Sequence, residues 1–198
     1  MSTITCFCGN TIDVDFPSEI DLEKSPKAES SILDGSFMTV SCTCGRLLKP
    51  EFPFRVFRED GSLDLFLVPE LNRNSFLTGR FDTPASADIV IGFPELVERL
   101  TILRAGFDPR ANEIAKYYLS RKAGPVEDIQ IRFQGIESEK AVYHIFGLKS
   151  DEIAVVKLPV ESLRKMEEDI ETAGNSEPFK TIFEKPYISL SKVVVVEE

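Results

Sequence analysis

Two short phrases, Cys6-Phe7-Cys8-Gly9 and Cys42-Thr43-Cys44-Gly45, hold all four cysteines of this 198-residue chain. Each places two thiols one residue apart, and each is followed by glycine. Repetition of the same four-residue pattern makes chance pairing a poor explanation. Zinc takes four soft ligands in a tetrahedron, and two short bidentate turns on neighbouring hairpins supply them. Glycine after the second thiol allows positive φ, which turns backbone N–H groups toward sulfur. The expectation is one structural Zn2+ per chain, held by Cys6, Cys8, Cys42 and Cys44. The same four thiols admit other readings: small buried hydrophobes, a redox switch in which zinc leaves and disulfides form, or a constitutive disulfide.

The compartment bears on that choice. The start, Met-Ser-Thr-Ile-Thr-Cys, has neither the positive region nor the apolar core of a secretory signal. No stretch approaches the ~20 apolar residues that span a bilayer. A cytoplasmic location is expected, where thiols stay reduced and paired cysteines read as a metal site. The net charge is −10, with −6 over residues 1–92 and −4 over the rest. Nucleic-acid binders need a cationic surface that releases counterions, and neither part offers one. Anionic membrane surfaces are disfavoured on the same ground. The partner class left is another protein.

Patterning along the chain predicts an α+β fold. Ile12, Val14 and Phe16 alternate with Asp13 and Asp15, as in a short strand or hairpin. Residues 17–31 read as exposed loop with at most one helical turn, and Asp34-Gly35 as a turn. Phe37 to Ser41 reads as a strand entering the second cysteine pair. Alternation at Phe52, Phe54 and Val56, then Asp60-Gly61, then Leu63, Leu65 and Leu67 predicts a hairpin. Residues 73–92 read as loop with a short strand at Ile89–Ile91. Two helices follow, one with the stripe Leu96, Val97, Leu100 and Leu103, the next capped by Asp108 with Pro109 in its first turn. Gly124-Pro125 stops the second helix and is taken as a boundary, giving domains 1–124 and 125–198. The second domain reads as three strands, a helix bearing Val160, Leu163, Met166 and Ile170, and a last strand from Tyr187 to Val196.

Other chemistry is thin. His144 is the only histidine, and its place in an alternating run marks it as an ordinary strand residue. No Walker loop, Gly-x-Ser-x-Gly, Gly-x-Gly-x-x-Gly or His-Glu-x-x-His occurs. Asp34 and Asp60 read as turn residues, and Glu167-Glu168-Asp169 as a solvated helix face. Phe52, Phe54 and Phe57 beside Arg55 and Arg58 offer a base-stacking pattern, but core packing accounts for it better in so acidic a chain.

The N-terminal ~125 residues resemble the CpXC domain, a bacterial and archaeal family named for two Cys-Pro-x-Cys-type motifs. The resemblance runs through Ile4-Thr5-Cys6, Leu33-Asp34-Gly35-Ser36-Phe37, Cys42-Thr43-Cys44-Gly45 and Leu65-Phe66-Leu67-Val68-Pro69-Glu70. It continues from Glu95-Leu96-Val97-Glu98 to Glu113-Ile114. It implies a zinc-ribbon-like fold and no established activity. Here each pair has one intervening residue and no proline, a departure at the feature that names the family. Together these features give an intracellular interaction or scaffold protein with a structural zinc site made of four cysteines and no catalytic residues assigned. The alternative is a thiol redox switch or a zinc-dependent enzyme that uses the same cluster.

Overall fold

In the computed structural model, which describes residues 2–124 and 129–193, the first hairpin pairs β1 (Ser2–Thr5) with β2 (Thr11–Val14) in antiparallel register. β3 (Glu19–Asp21) and α1 (Pro26–Leu33) follow in the stretch expected as loop. Only Ile20, Leu22 and Ile32 are buried there, too few and too spaced to print a period on the sequence. The Asp34-Gly35 turn forms as expected, with Gly35 at φ +81 and the Ser36 N–H donating to Asp34 at 2.8 Å. A second, shorter hairpin joins β4 (Val40–Ser41) and β5 (Leu47–Leu48). Phe37 is not in it; its ring packs on Phe54 at 5.6 Å.

The alternating runs build a four-stranded mixed sheet. β6 (Phe54–Phe57) and β7 (Asp64–Val68) pair antiparallel across the expected Asp-Gly turn, with Gly61 at φ +75. β3 lies parallel to β6 on one side. A 3-10 turn at Glu70–Asn72 and the short helix α2 (Arg73–Leu77) come next, the helix lying where loop is expected. β8 (Asp88–Ile91) then lies parallel to β7 on the other side. Phe54, Val56, Leu67, Val68, Ile89 and Ile91 are essentially fully buried, so Phe54 is unavailable for stacking on a base.

α3 (Gly92–Arg104) starts on a constrained backbone. Gly92 has φ +74, and a Cβ there would meet the Glu70 carboxylate at 3.1 Å. Glu95 reaches back to accept the Ile91 N–H at 2.9 Å, satisfying a donor that the helix start leaves open. Asp108 caps α4 (Pro109–Ala123) by accepting the Arg110 N–H at 2.8 Å. The Asp108 N–H in turn donates to Glu167 at 2.7 Å, so Glu167 is a structural acceptor and not only part of a wet face.

β9 (Gln130–Glu137), β10 (Lys140–Lys149) and β11 (Glu152–Pro159) form a three-stranded antiparallel sheet in the order β11-β10-β9. α5 (Val160–Glu168), α6 (Ile170–Ala173) and α7 (Phe179–Phe183) complete the described elements with a 3-10 turn at Leu190–Lys192. Tyr187 to Ser189 form no strand, contrary to expectation, and Val194 to Val196 lie outside the described residues.

By contacts the chain divides into two units, Met1–Val97 and Glu98–Glu198, where the helix stop at Gly124-Pro125 predicts domains 1–124 and 125–198. Gly124 does end α4. Yet Ala115 and Leu119 of α4 pack in one cluster with Ile131, Phe133, Tyr143 and Leu163. The stop signal therefore marks a helix terminus, and α4 joins the C-terminal sheet. In this second unit Glu98, Asn112, Glu113 and Lys116 are buried and bonded to one another and to the backbone. Among the described residues no helix is long and apolar enough to cross a membrane. The architecture is α+β.

Candidate metal centre

The two cysteine turns have the same backbone. In the first, the Cys6 N–H donates to the Asn10 carbonyl at 2.8 Å and the Gly9 N–H to the Cys6 carbonyl at 2.9 Å. In the second, the Cys42 N–H donates to the Arg46 carbonyl at 2.8 Å and the Gly45 N–H to the Cys42 carbonyl at 2.9 Å. Gly9 and Gly45 stand at φ +88 and +85, a conformation that a Cβ would disfavour. Each turn is held at its base by its own hairpin, β1–β2 or β4–β5. Sequence and geometry thus repeat together.

All four predicted residues come to one place. Their Sγ atoms lie within 4.8 Å of one another. Two close approaches cross between the turns: Cys6 to Cys44 at 3.7 Å and Cys8 to Cys42 at 3.6 Å. Four thiolates at ~2.3 Å from a common zinc would stand about 3.8 Å apart along each tetrahedral edge. Cys6 and Cys42 are buried, while Cys8 and Cys44 are exposed. The set is able to hold a metal ion. All four cysteines are free thiols.

The turns also make the thiols unequal. The Cys44 backbone N–H favours the Cys42 thiolate against the cost of burial, and the neighbouring thiols add to it, so Cys42 is lowered to about 6. The Arg46 N–H favours the Cys44 thiolate, but Cys42 and Cys8 beside it outweigh that and push Cys44 up to about 12.

Asn10 is a participant that sequence reasoning passed over. Its amide donates to Thr43 at 2.7 Å and lies 3.9 Å from the Cys42 sulfur, tying one turn to the other. Its place immediately after Cys-x-Cys-Gly, matched by Arg46 in the second turn, was the available signal. Arg46 lies over the ring of Phe7, 5.8 Å from its centroid, and Phe7 is 89% exposed. His144 is on β10 with its ring against Phe146 and is not among these residues.

A family model described as "CpXC protein" matches residues 4–116, which include both cysteine pairs and end within α4. An uncharacterized protein of Treponema pallidum (strain Nichols) is 24% identical to this chain over 216 aligned positions, covering 98% of each. No solved structure matches.

Proposed function

We propose, from the premise that this chain belongs to the CpXC protein family, that Cys6, Cys8, Cys42 and Cys44 hold one structural zinc ion and that the protein is an intracellular interaction or scaffold protein. The observation that carries the zinc assignment is the spacing of the sulfurs, 3.6 and 3.7 Å across the turns, against the tetrahedral edge of about 3.8 Å that zinc requires. Two hairpins with strands of four and two residues bury little apolar surface of their own, and an ion supplies the closure that such a small element lacks. Four thiolates fill the zinc shell and leave no position for water, which favours a structural role over Lewis-acid chemistry. Elemental analysis of the purified chain should give one zinc per chain, and X-ray absorption should give four sulfur neighbours near ~2.3 Å. A shell containing oxygen would replace this reading with a catalytic one.

One observation favours a second reading, a thiol switch. Cys8 and Cys44 are exposed, and each has a buried cysteine of the other turn within 3.7 Å. Zinc release with paired thiol loss on peroxide treatment, reversed by a reductant, would support it.

A further inference from the structure

The two edges of the C-terminal sheet are treated differently. On β9 the outward N–H of Phe133 donates to the buried carboxylate of Glu98 at 2.7 Å, and the Arg132 guanidinium lies 3.6 Å from the same group. The register also shifts beside Gly135, which has φ +138. A bulge and a buried acceptor close that edge to another strand.

Among the described residues β11 has no buried acceptor on its outer side, and the shift in its ladder with β10, between Ile145 and Lys149, puts the additional residues on β10 and none on β11. The Val160 N–H donates to the Glu139 carbonyl at 3.0 Å, which sets the alternation of the ladder. Leu158, Val156 and Ala154 bond toward β10, so Ile153, Val155 and Lys157 turn their amides and carbonyls outward. Among the described residues nothing bonds to those outward groups. Ile153 and Val155 are each 53% exposed on one face. On the other face Ala154, Val156 and Leu158 are only partly buried. Such an edge is a template for a further strand.

We infer that β11 is an interface between two copies of this chain, pairing antiparallel with its own copy about a two-fold axis at Ala154 to make one six-stranded sheet. The stretch Asp151-Glu152-Ile153-Ala154-Val155-Val156-Lys157 is acidic at one end, basic at the other and apolar between, so it complements itself only when reversed. In this register Ile153 faces Val155, each contact occurring twice as two-fold symmetry requires, and Asp151, in the turn just before β11, comes to the end of the ladder beside Lys157 of the other copy. Facing residues have the same parity, so the faces of the two sheets match. Lys157 already holds Glu137 at 2.7 Å, and the second carboxylate arrives on its free side. Sliding the register by two residues would set Ile153 against Lys157 and lose the match.

Analytical ultracentrifugation of the full chain over a concentration series tests this. The wild-type chain should reach twice its 22.2 kDa mass. Ile153→Glu with Val155→Glu places like charges face to face and should weaken dimerisation by at least about tenfold. Ile153→Lys with Val155→Glu restores attraction in this register and should dimerise. A wild-type chain that stays monomeric, a double-glutamate chain that dimerises normally, or loss in both variants overturns the inference. If the charged variants fail to fold by circular dichroism, Ala154→Cys serves. The two copies of residue 154 meet at the axis with Cα atoms ~4.5 Å apart, so mild oxidation should join the two introduced thiols in an intermolecular disulfide, identified by peptide mass. Its absence from the oxidised chain also overturns the inference.

Discussion

The Nζ of Lys116 lies 3.1 Å from a carboxylate oxygen of Glu98, and each side chain is only 7% exposed. Around them Glu113 takes a second bond from Lys116 at 2.8 Å and accepts the Leu190 N–H at 2.6 Å. Tyr143 donates to Asn112 at 3.1 Å. Every member has a partner, the condition under which a buried polar network rigidifies a core.

Breaking one member should therefore be costly. Lys116→Met takes the ammonium away from the buried Glu113 and leaves Glu98 with only the Arg132 guanidinium at 3.6 Å, and loss of one partner in a buried pair typically costs ~3–5 kcal/mol. Replacing Glu98 and Lys116 together by apolar residues should cost less than the sum of the single changes. Urea denaturation of the three variants checks this, and strictly additive losses would defeat it.

The same pair sets an acid limit. Burial pushes the Glu98 carboxyl up, but Lys116, Arg132 and the Phe133 N–H more than reverse it, leaving it below the ordinary 4.5. Because the folded value is depressed, its contribution to stability is complete above pH 4.5 and is lost as pH falls through the folded value. Wild type and Glu98→Gln should differ by a constant amount near neutrality and converge below pH 4.5. A stability difference that persists unchanged into that acid range would show that this carboxyl is not depressed.

Cys42→Ser should drop the zinc content from one per chain to none. Structural zinc contributes an apparent ~10–16 kcal/mol to zinc-finger folding, far more than two small hairpins can replace. The loss should be local. Amides of Gly9 and Gly45 in the turns should lose hydrogen-exchange protection, while Val56 and Leu67 in the buried four-stranded sheet keep theirs. Unchanged protection at the turns with no metal bound would be the contrary result.

Asp108→Ala removes the acceptor for the Arg110 N–H and should cost ~0.5–2 kcal/mol in the second unit. Asp108→Asn keeps a capping oxygen and should recover most of that. Equal losses in the two variants would assign the effect to the ion pair with Arg110 instead.

Much of this fold is written locally. The cysteine turns repeat in sequence and in hydrogen bonding, and the Asp60-Gly61 hairpin and the Asp108-Pro109 cap each need only neighbours to form. β3, α1 and α2 are not legible because each is short and buries at most one residue along its length, so tertiary packing and not periodicity decides them. Glu98, Glu113 and Lys116 look like surface charges on a helix, since nothing in their own spacing reveals that a sheet and Leu190 close over them. Gly124-Pro125 reads as a boundary because a strong helix stop looks the same whether or not the next element packs back on that helix.

The sulfurs that meet across the two turns come from positions 34 and 38 residues apart in the chain. Neither half alone offers more than two thiols, so no short peptide cut from this protein would reproduce the site. During synthesis the first turn must wait, half-equipped, until the ribosome has released the second, and only then can the four thiols gather.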